Sequence, residues 1–472
     1  VCWQHIRQSA DFDTANREPH RPLYHHTPAY GWMNDPNGFS YYNGYYHLFY
    51  QYYPYAAEWG PMHWGHARSK DLIHWETLPV ALVPTRPQDG CFSGSAVAFD
   101  DRLWLIYTGN HVIDKEKDIN RQDQNLAYSA DGIRFEKYDG NPILAEAPSD
   151  NNPADFRDPK VWQEDDGFRM VVGSRDKDGL GRVLLYSSRD LKQWDYVGAI
   201  AGAESVEHEG FMWECPDFFR LNGQDVLLLS PQGIEATDEK FINQHNTGYF
   251  VGNYLEDEKR FEHGEFVELD NGHDLYATQT MVTPDGRRVM VAWMNAWDSP
   301  MTESADGWCG AITLPRELTI RNNHLYQSPV AEVRSLRKAE LVNRNLVDSE
   351  DLVLGRHVEF RLDLDDLPEG KIIEVSDGED NGFSISADRG GRHLVLVRSV
   401  DPENKRYAEL DEADEKLSLH VFIDSSSAEI FVNDGEVTFT ERIYWRKDPT
   451  LSVSGKSGHI QAFELSADAN RY

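Results

Sequence analysis

The chain has 472 residues, with 80 Asp and Glu against 46 Lys and Arg, a net charge of −34. Its length implies roughly two or three domains, and 40% hydrophobic with 12% aromatic residues supplies enough apolar side chain for a folded core. The charge argues against a nucleic-acid partner and against an anionic membrane surface, because both select basic faces.

Four cysteines, Cys2, Cys91, Cys215 and Cys309, show no C-x-x-C spacing. They read neither as a disulfide framework nor as a zinc or redox site. No apolar run approaches the ~18 residues of a membrane span. No signal peptide is visible, although the chain begins at Val1, and no N-x-[ST] acceptor occurs. The expected location is the cytoplasm, with secretion after removal of an N-terminal signal as the alternative.

In chain order, short β-rich runs recur: Tyr45–Tyr50, Leu103–Tyr107, Phe168–Val172, Val226–Leu229 and Arg288–Ala292. Their starts lie 58, 65, 58 and 62 residues apart. The first is preceded by a strand-like run and Asn43-Gly44, a hairpin signal because both residues tolerate positive φ. A second marker keeps the same period. Ser69-x-Asp71-x-x-x-Trp75, Ser129-x-Asp131-x-x-x-Phe135 and Ser188-x-Asp190-x-x-x-Trp194 read as a turn feeding an outer strand whose aromatic fills the gap between neighbours. Helical stretches between strands are too few for a parallel α/β fold.

Five such units point to an all-β, five-bladed β-propeller. It is expected over 1–322, with an N-terminal extension at 1–20. Ser328-Pro329 reads as an N-cap with proline in the first turn, starting a short helix in a linker at 323–340. The rest, 341–472, is again strand-rich, with Asn433-Asp434-Gly435 as a hairpin turn, and reads as a C-terminal β-sandwich.

The repeat also aligns three acids. Asp35 precedes Tyr46 by 11 residues, Asp158 precedes Arg169 by 11, and Glu214 precedes Asp225 by 11. The slot falls near Ser93 in unit two and near Tyr276 in unit five. Innermost blade strands line one axis, so equivalent positions converge there. Arg157 beside Asp158 is expected to keep that acid ionised, and apolar neighbours are expected to favour a protonated Glu214. An ionised and a protonated carboxyl together are the pair that cleaves a glycosidic bond. A third acid can offset positive charge on the sugar ring. Trp32, Trp59, Phe92 and Trp213 lie near the acids or their slot and could pack on sugar C–H faces. His63 and His66 are the one histidine pair considered for a metal. Their spacing in a Gly/Pro-rich loop does not favour it, and no metal or cofactor is expected. Neither a P-loop nor a dinucleotide fingerprint occurs. The run Asp411–Glu415 reads as a solvated loop.

These motifs resemble glycoside hydrolase family 32, the β-fructofuranosidases. The resemblance rests on Trp32-Met33-Asn34-Asp35-Pro36-Asn37-Gly38, Phe92-Ser93-Gly94-Ser95, Arg157-Asp158-Pro159 and Glu214-Cys215. The stretches Trp59–His66 and Gly272–Gln279 resemble the bacterial sucrose-hydrolase branch. The resemblance implies a five-bladed propeller followed by a sandwich. It also implies Asp35 as nucleophile, Glu214 as general acid/base and Asp158 as transition-state stabiliser. Asn34, Gln51, Trp59, Phe92, Ser93 and Arg157 would hold the fructosyl unit, and Tyr276 joins them as a candidate substrate contact. The expected reaction is retaining hydrolysis of sucrose, sucrose-6-phosphate or short fructo-oligosaccharides, with the two reacting carboxyls about 5–5.5 Å apart. Fructosyl transfer and non-catalytic sugar binding are the alternatives. The expected partner is a small sugar.

Overall fold

The computed structural model describes residues 18–346, 348–411, 415–454, 457–466 and 470–471; Cys2, most of the N-terminal extension and the middle of the 411–415 run lie outside them. The chain is a five-bladed β-propeller followed by a β-sandwich.

Five antiparallel sheets make the blades, over Gly31–Leu82, Gly90–Lys137, Asn151–Gly202, Met212–Glu268 and Tyr276–Pro329. Each begins with its innermost strand: Gly31–Tyr42, Gly90–Phe99, Asn151–Glu164, Met212–Leu221 and Tyr276–Val282. These five strands touch in a closed ring, the first also meeting the fifth. They are not joined into one sheet, so side chains stitch the ring. Asn37 accepts the Gly94 N–H at 3.1 Å. Ser95 donates to the Pro159 carbonyl at 2.7 Å. Lys160 pairs with Asp217 at 2.8 Å, and Asp217 in turn accepts the Thr280 N–H.

The repeated Ser-x-Asp marker is the turn into each outer strand. In the first three blades the aspartate (Asp71, Asp131, Asp190) accepts backbone N–H groups two and three residues ahead. The residue after it has positive φ in all three: Leu72, Gly132 and Leu191. An Asx turn therefore repeats because the same reversal repeats. Trp75 then plugs the core beside the turn, fully buried.

Ser328-Pro329 does not start a helix. Both residues lie in the last blade strand, His324–Pro329, and the turn that follows is a 3-10 turn at Ala331–Leu336 capped by Val330. The strand pairing of Ser328 with Glu317 outweighs the local capping preference. Val330, Val333 and Leu336 are buried with Phe422, Phe431 and Leu465 of the sandwich, so this turn is part of a shared core. The sandwich is two six-stranded sheets around its own apolar core. One of them carries the Asn433-Asp434-Gly435 turn, with positive φ at all three residues. Among the described residues no helix is long and apolar enough to cross a membrane.

Candidate active site

A bulge occurs at the same slot of all five innermost strands. Register breaks fall between Met33 and Pro36, Phe92 and Gly94, Arg157 and Lys160, Glu214 and Asp217, and Tyr276 and Thr278. In two of them the extra residues include a proline, Pro159 or Pro216, and in the first Pro36 closes the bulge; proline has no N–H to give the ladder. Asp158, Cys215 and Ala277 hold positive φ there. A bulge re-aims the local side chain, and here it turns Asp35, Ser93, Asp158 and Glu214 into one cavity at the end of the axis. The cavity is about 470 Å³.

Asp35 accepts hydrogen bonds from Ser93 Oγ at 2.7 Å and Asn34 Nδ2 at 3.0 Å. Asp158 accepts the Cys215 N–H at 2.9 Å. The Cys215 thiol bridges the two aspartates, 3.7 Å from Asp35 Oδ2 and 3.6 Å from Asp158 Oδ2. Glu214 is held by three donors: Arg157 Nε at 2.9 Å, Gln232 Nε2 at 2.9 Å and the Tyr276 hydroxyl at 2.5 Å.

The electrostatics differ from the sequence expectation. Arg157 was expected to keep Asp158 ionised, but its guanidinium bonds Glu214 and Asp155 instead, the latter at 2.8 Å. Arg157 and Asp158 both face the cavity across the bulge, so the arginine's charge still lowers Asp158, but its hydrogen bonds are spent on Glu214 and Asp155. Burial, and then the charge of Glu214, push Asp158 up to about 7. Asp35 is raised by the same two causes in the same order, partly offset by Ser93 and Asn34. Burial also keeps the Cys215 thiol well above its ordinary value, so it stays a neutral donor between the aspartates.

Of the other expected contacts, Asn34, Gln51, Trp59, Phe92, Ser93 and Arg157 all line the cavity. Gln51 is anchored by donating to the Cys91 carbonyl at 3.1 Å. Trp59, 52% exposed, stands edge-on to Phe92 at the mouth. Tyr276 is fully buried behind Glu214 and does not line the cavity. Trp213 is blade core, its indole N–H donating to the Glu209 carbonyl. Trp32 is buried beneath the floor and donates to Asn34 at 2.7 Å. His63 and His66 are three apart on one strand and so face opposite sides. His63 Nδ1 meets the Pro61 carbonyl, and His66 Nε2 meets His47 at 3.0 Å.

Several lining residues escaped the sequence reading. Trp297 comes from a loop outside the repeat, and Asn110, Lys115, Asp118, Asn120 and Gln122 come from the second hairpin of blade two. Gln232 ends the strand paired with the Glu214 strand. The repeat period could have found Gln232, since it faces Met212 across the hairpin. Trp297 carried no such signal.

Comparison with known proteins bears on the whole chain. The sequence profile of the Glycosyl hydrolases family 32 N-terminal domain matches residues 25–329, and that of the family's C-terminal domain matches 374–469. A sucrose-6-phosphate hydrolase of Escherichia coli is 42% identical, over 90% of this chain and 89% of that protein. A raffinose invertase of Escherichia coli is also 42% identical, over 90% of each. Among solved structures, a Bombyx mori GH32 β-fructofuranosidase superposes with TM-score 0.91 at 37% identity, covering 100% of this chain and 98% of its own. A mutant of that enzyme was solved in complex with sucrose. A sucrose-6-phosphate hydrolase of Lactobacillus gasseri superposes with TM-score 0.87 at 29% identity, with 99% of both chains covered.

Proposed function

The chain belongs to glycosyl hydrolases family 32, and on that premise we propose that it is a β-fructofuranosidase that hydrolyses sucrose with retention at the fructosyl carbon. The observation that carries this is the set of three carboxylates, Asp158 buried and Asp35 and Glu214 half-buried, turned into one cavity by equivalent bulges. Asp35 attacks the anomeric carbon of the fructosyl unit. Glu214 gives its proton to the glycosidic oxygen, so glucose leaves as the neutral alcohol and an Asp35 ester remains. Glu214, now ionised, takes a proton from water, whose oxygen displaces the Asp35 carboxylate and releases fructose.

The charge balance suits this cycle. Burial first and then Glu214's charge raise both aspartates. A proton on Glu214 removes that charge and favours ionised Asp35 and Asp158. The state ready to attack is thus also the state ready to protonate the leaving group. Asp158 then faces the positive charge that builds on the sugar ring. Gln232, Arg157 and Tyr276 keep Glu214 in place through both protonation states.

Neutral sucrose suits the cavity better than its 6-phosphate. Asp35, Asp118, Asp158 and Glu214 line it, against Arg157 and Lys115. Arg157 is committed to Glu214 and Asp155, so one exposed lysine is left to meet a phosphate dianion. Initial-rate NMR of sucrose cleavage tests the mechanism: β-fructofuranose should appear before mutarotation, and initial α-anomer would overturn it. A panel of kcat/KM values tests the substrate, with sucrose expected above sucrose-6-phosphate by about tenfold. Lys115→Met should lower the phosphate-to-sucrose ratio by a further two- to fivefold or about that.

A further inference from the structure

Trp297 reaches the cavity from the 294–307 loop, which follows the second strand of blade five. Backbone bonds to Ala311 and Gly31 tie the loop's two ends to the propeller, and its middle is anchored by Arg442 and by the Tyr444 hydroxyl of the sandwich, which donates to the Pro300 carbonyl and to Glu303. Arg442, on the strand Val437–Arg442, is fully buried and pairs with Glu303 at 3.2 Å. Its second nitrogen reaches Asn295 Oδ1 at 3.4 Å. The Arg442 backbone N–H and Arg398 Nη1 both donate to Asp274 Oδ2, at 2.7 and 2.9 Å. The other oxygen of Asp274 accepts Ser299 Oγ, and Ser299 Oγ in turn accepts the Ala296 N–H at 2.8 Å. The residue preceding Trp297 is thereby tied to the sandwich through two side chains.

At its other end the loop leads to the nucleophile strand. Glu303 accepts the Gly310 N–H at 3.2 Å, and Trp308-Cys309 pair in parallel with Gly31-Trp32. Gly310 has φ +91, and a Cβ there would lie 2.0 Å from the Met33 carbonyl oxygen. The loop therefore packs directly under the Asp35 bulge. Trp297 stacks on Trp32 with centroids 6.3 Å apart and planes at 22°. Trp32 donates to Asn34, and Asn34 donates to Asp35.

We propose that Arg442 of the sandwich is a positioning residue for sucrose hydrolysis: its guanidinium, through Glu303 and Asn295, and its backbone N–H, through Asp274, fix the loop that sets Trp297 against the substrate and Trp32 beneath Asn34 and Asp35. The sandwich then acts on the active site, not only on stability. The inference deepens the sucrose-hydrolase reading and rests on it for its kinetic test. A packed aromatic wall binds ground and transition states alike, so its displacement raises KM more than it lowers kcat.

Arg442→Gln should raise KM for sucrose about tenfold with kcat within about threefold. Arg442→Lys should recover part of the loss. In a Trp297→Ala background, Arg442→Gln should change KM by less than about twofold, because the two act as one unit. Arg316→Gln is the control: it breaks a buried ion pair with Glu429 that does not join the loop, so it should lower Tm and leave KM unchanged. Should Arg442→Gln fail to fold, Ser299→Ala breaks the other tie of the same loop to the sandwich, the one through Asp274, and carries the same expectation. The near-ultraviolet circular dichroism of the Trp32–Trp297 pair reads the loop without catalysis. A wild-type enzyme inactive on sucrose would sink the functional reading while that signal still tests the coupling. An unchanged KM and an unchanged tryptophan signal in Arg442→Gln or Ser299→Ala, or multiplicative effects with Trp297→Ala, would overturn the proposal.

Discussion

The cavity on the propeller axis and the seam between propeller and sandwich both withdraw carboxylates from solvent, wholly in the seam and in large part in the cavity, and they treat them in opposite ways. In the cavity Asp35, Asp158 and Glu214 share one arginine, and both aspartates are raised by burial and like charge. In the seam the buried acids Asp270, Asp424, Glu429 and Glu441 each have a cation within 3.1 Å. His25 sits between Asp424 and Glu429, 2.8 Å from each. Arg316 adds a second partner to Glu429 and reaches Asp270 at 3.1 Å. His273 meets Glu441 at 2.8 Å. Burial would raise these acids too, yet the cations hold Asp424, Glu429 and Glu441 below their ordinary values. Compensated charge makes a fixed joint, whereas under-compensated charge makes a reactive site.

The largest effect should come from the cavity. Asp35→Asn should cut kcat for sucrose by about 10⁴-fold or more with the fold intact, read by initial rates and circular dichroism. Retained turnover would break the contrast at its reactive end.

The seam should show its effect in stability. His25→Gln leaves two buried carboxylates short of a cation and should cost about 3–5 kcal/mol in denaturant unfolding. Its pH dependence has a definite sign. His25 is raised from 6.5 to about 9 by its two acids, against burial. Its contribution is therefore fully present below pH 6.5 and lost as pH rises through about 9. The lowered seam acids contribute above their ordinary range, and that share is lost as pH falls through their folded values. Wild-type Tm should sag at both ends, and the alkaline sag should vanish in His25→Gln.

A smaller effect runs the other way. Asp158 is raised from 3.8 to about 7, so the folded state holds its proton more tightly than the unfolded chain. Stability is lost as pH climbs from about 4 to 7 and stays lost above that. Asp158→Asn should raise Tm at pH 8 by about 2–4 °C, with the gain shrinking toward pH 4, while kcat falls about 10²–10³-fold. A Tm loss at pH 8 would show that Asp158 is compensated like a seam acid.

The sequence by itself determined the propeller and the convergence of three acids, because both follow from a period. A repeat of about 60 residues forces equivalent strand positions onto one axis, and a proline at the slot marks the bulge that turns each acid inward. Ser93 was legible as a slot-mate of the acids and Arg157 as the neighbour of Asp158, whereas Asn34 came from the resemblance of the Trp32–Gly38 motif to the family. Partner choice was not. That Arg157 serves Glu214 and Asp155, that Tyr276 stands behind Glu214 and that Trp213 is core depend on which way each side chain leaves its strand. Trp297 and the charged seam join residues more than a hundred positions apart, such as Asp274 with Arg398 and His25 with Asp424. Those pairings obey no period. They exist because burying an ion requires a partner, and only the packed structure decides which one is within reach.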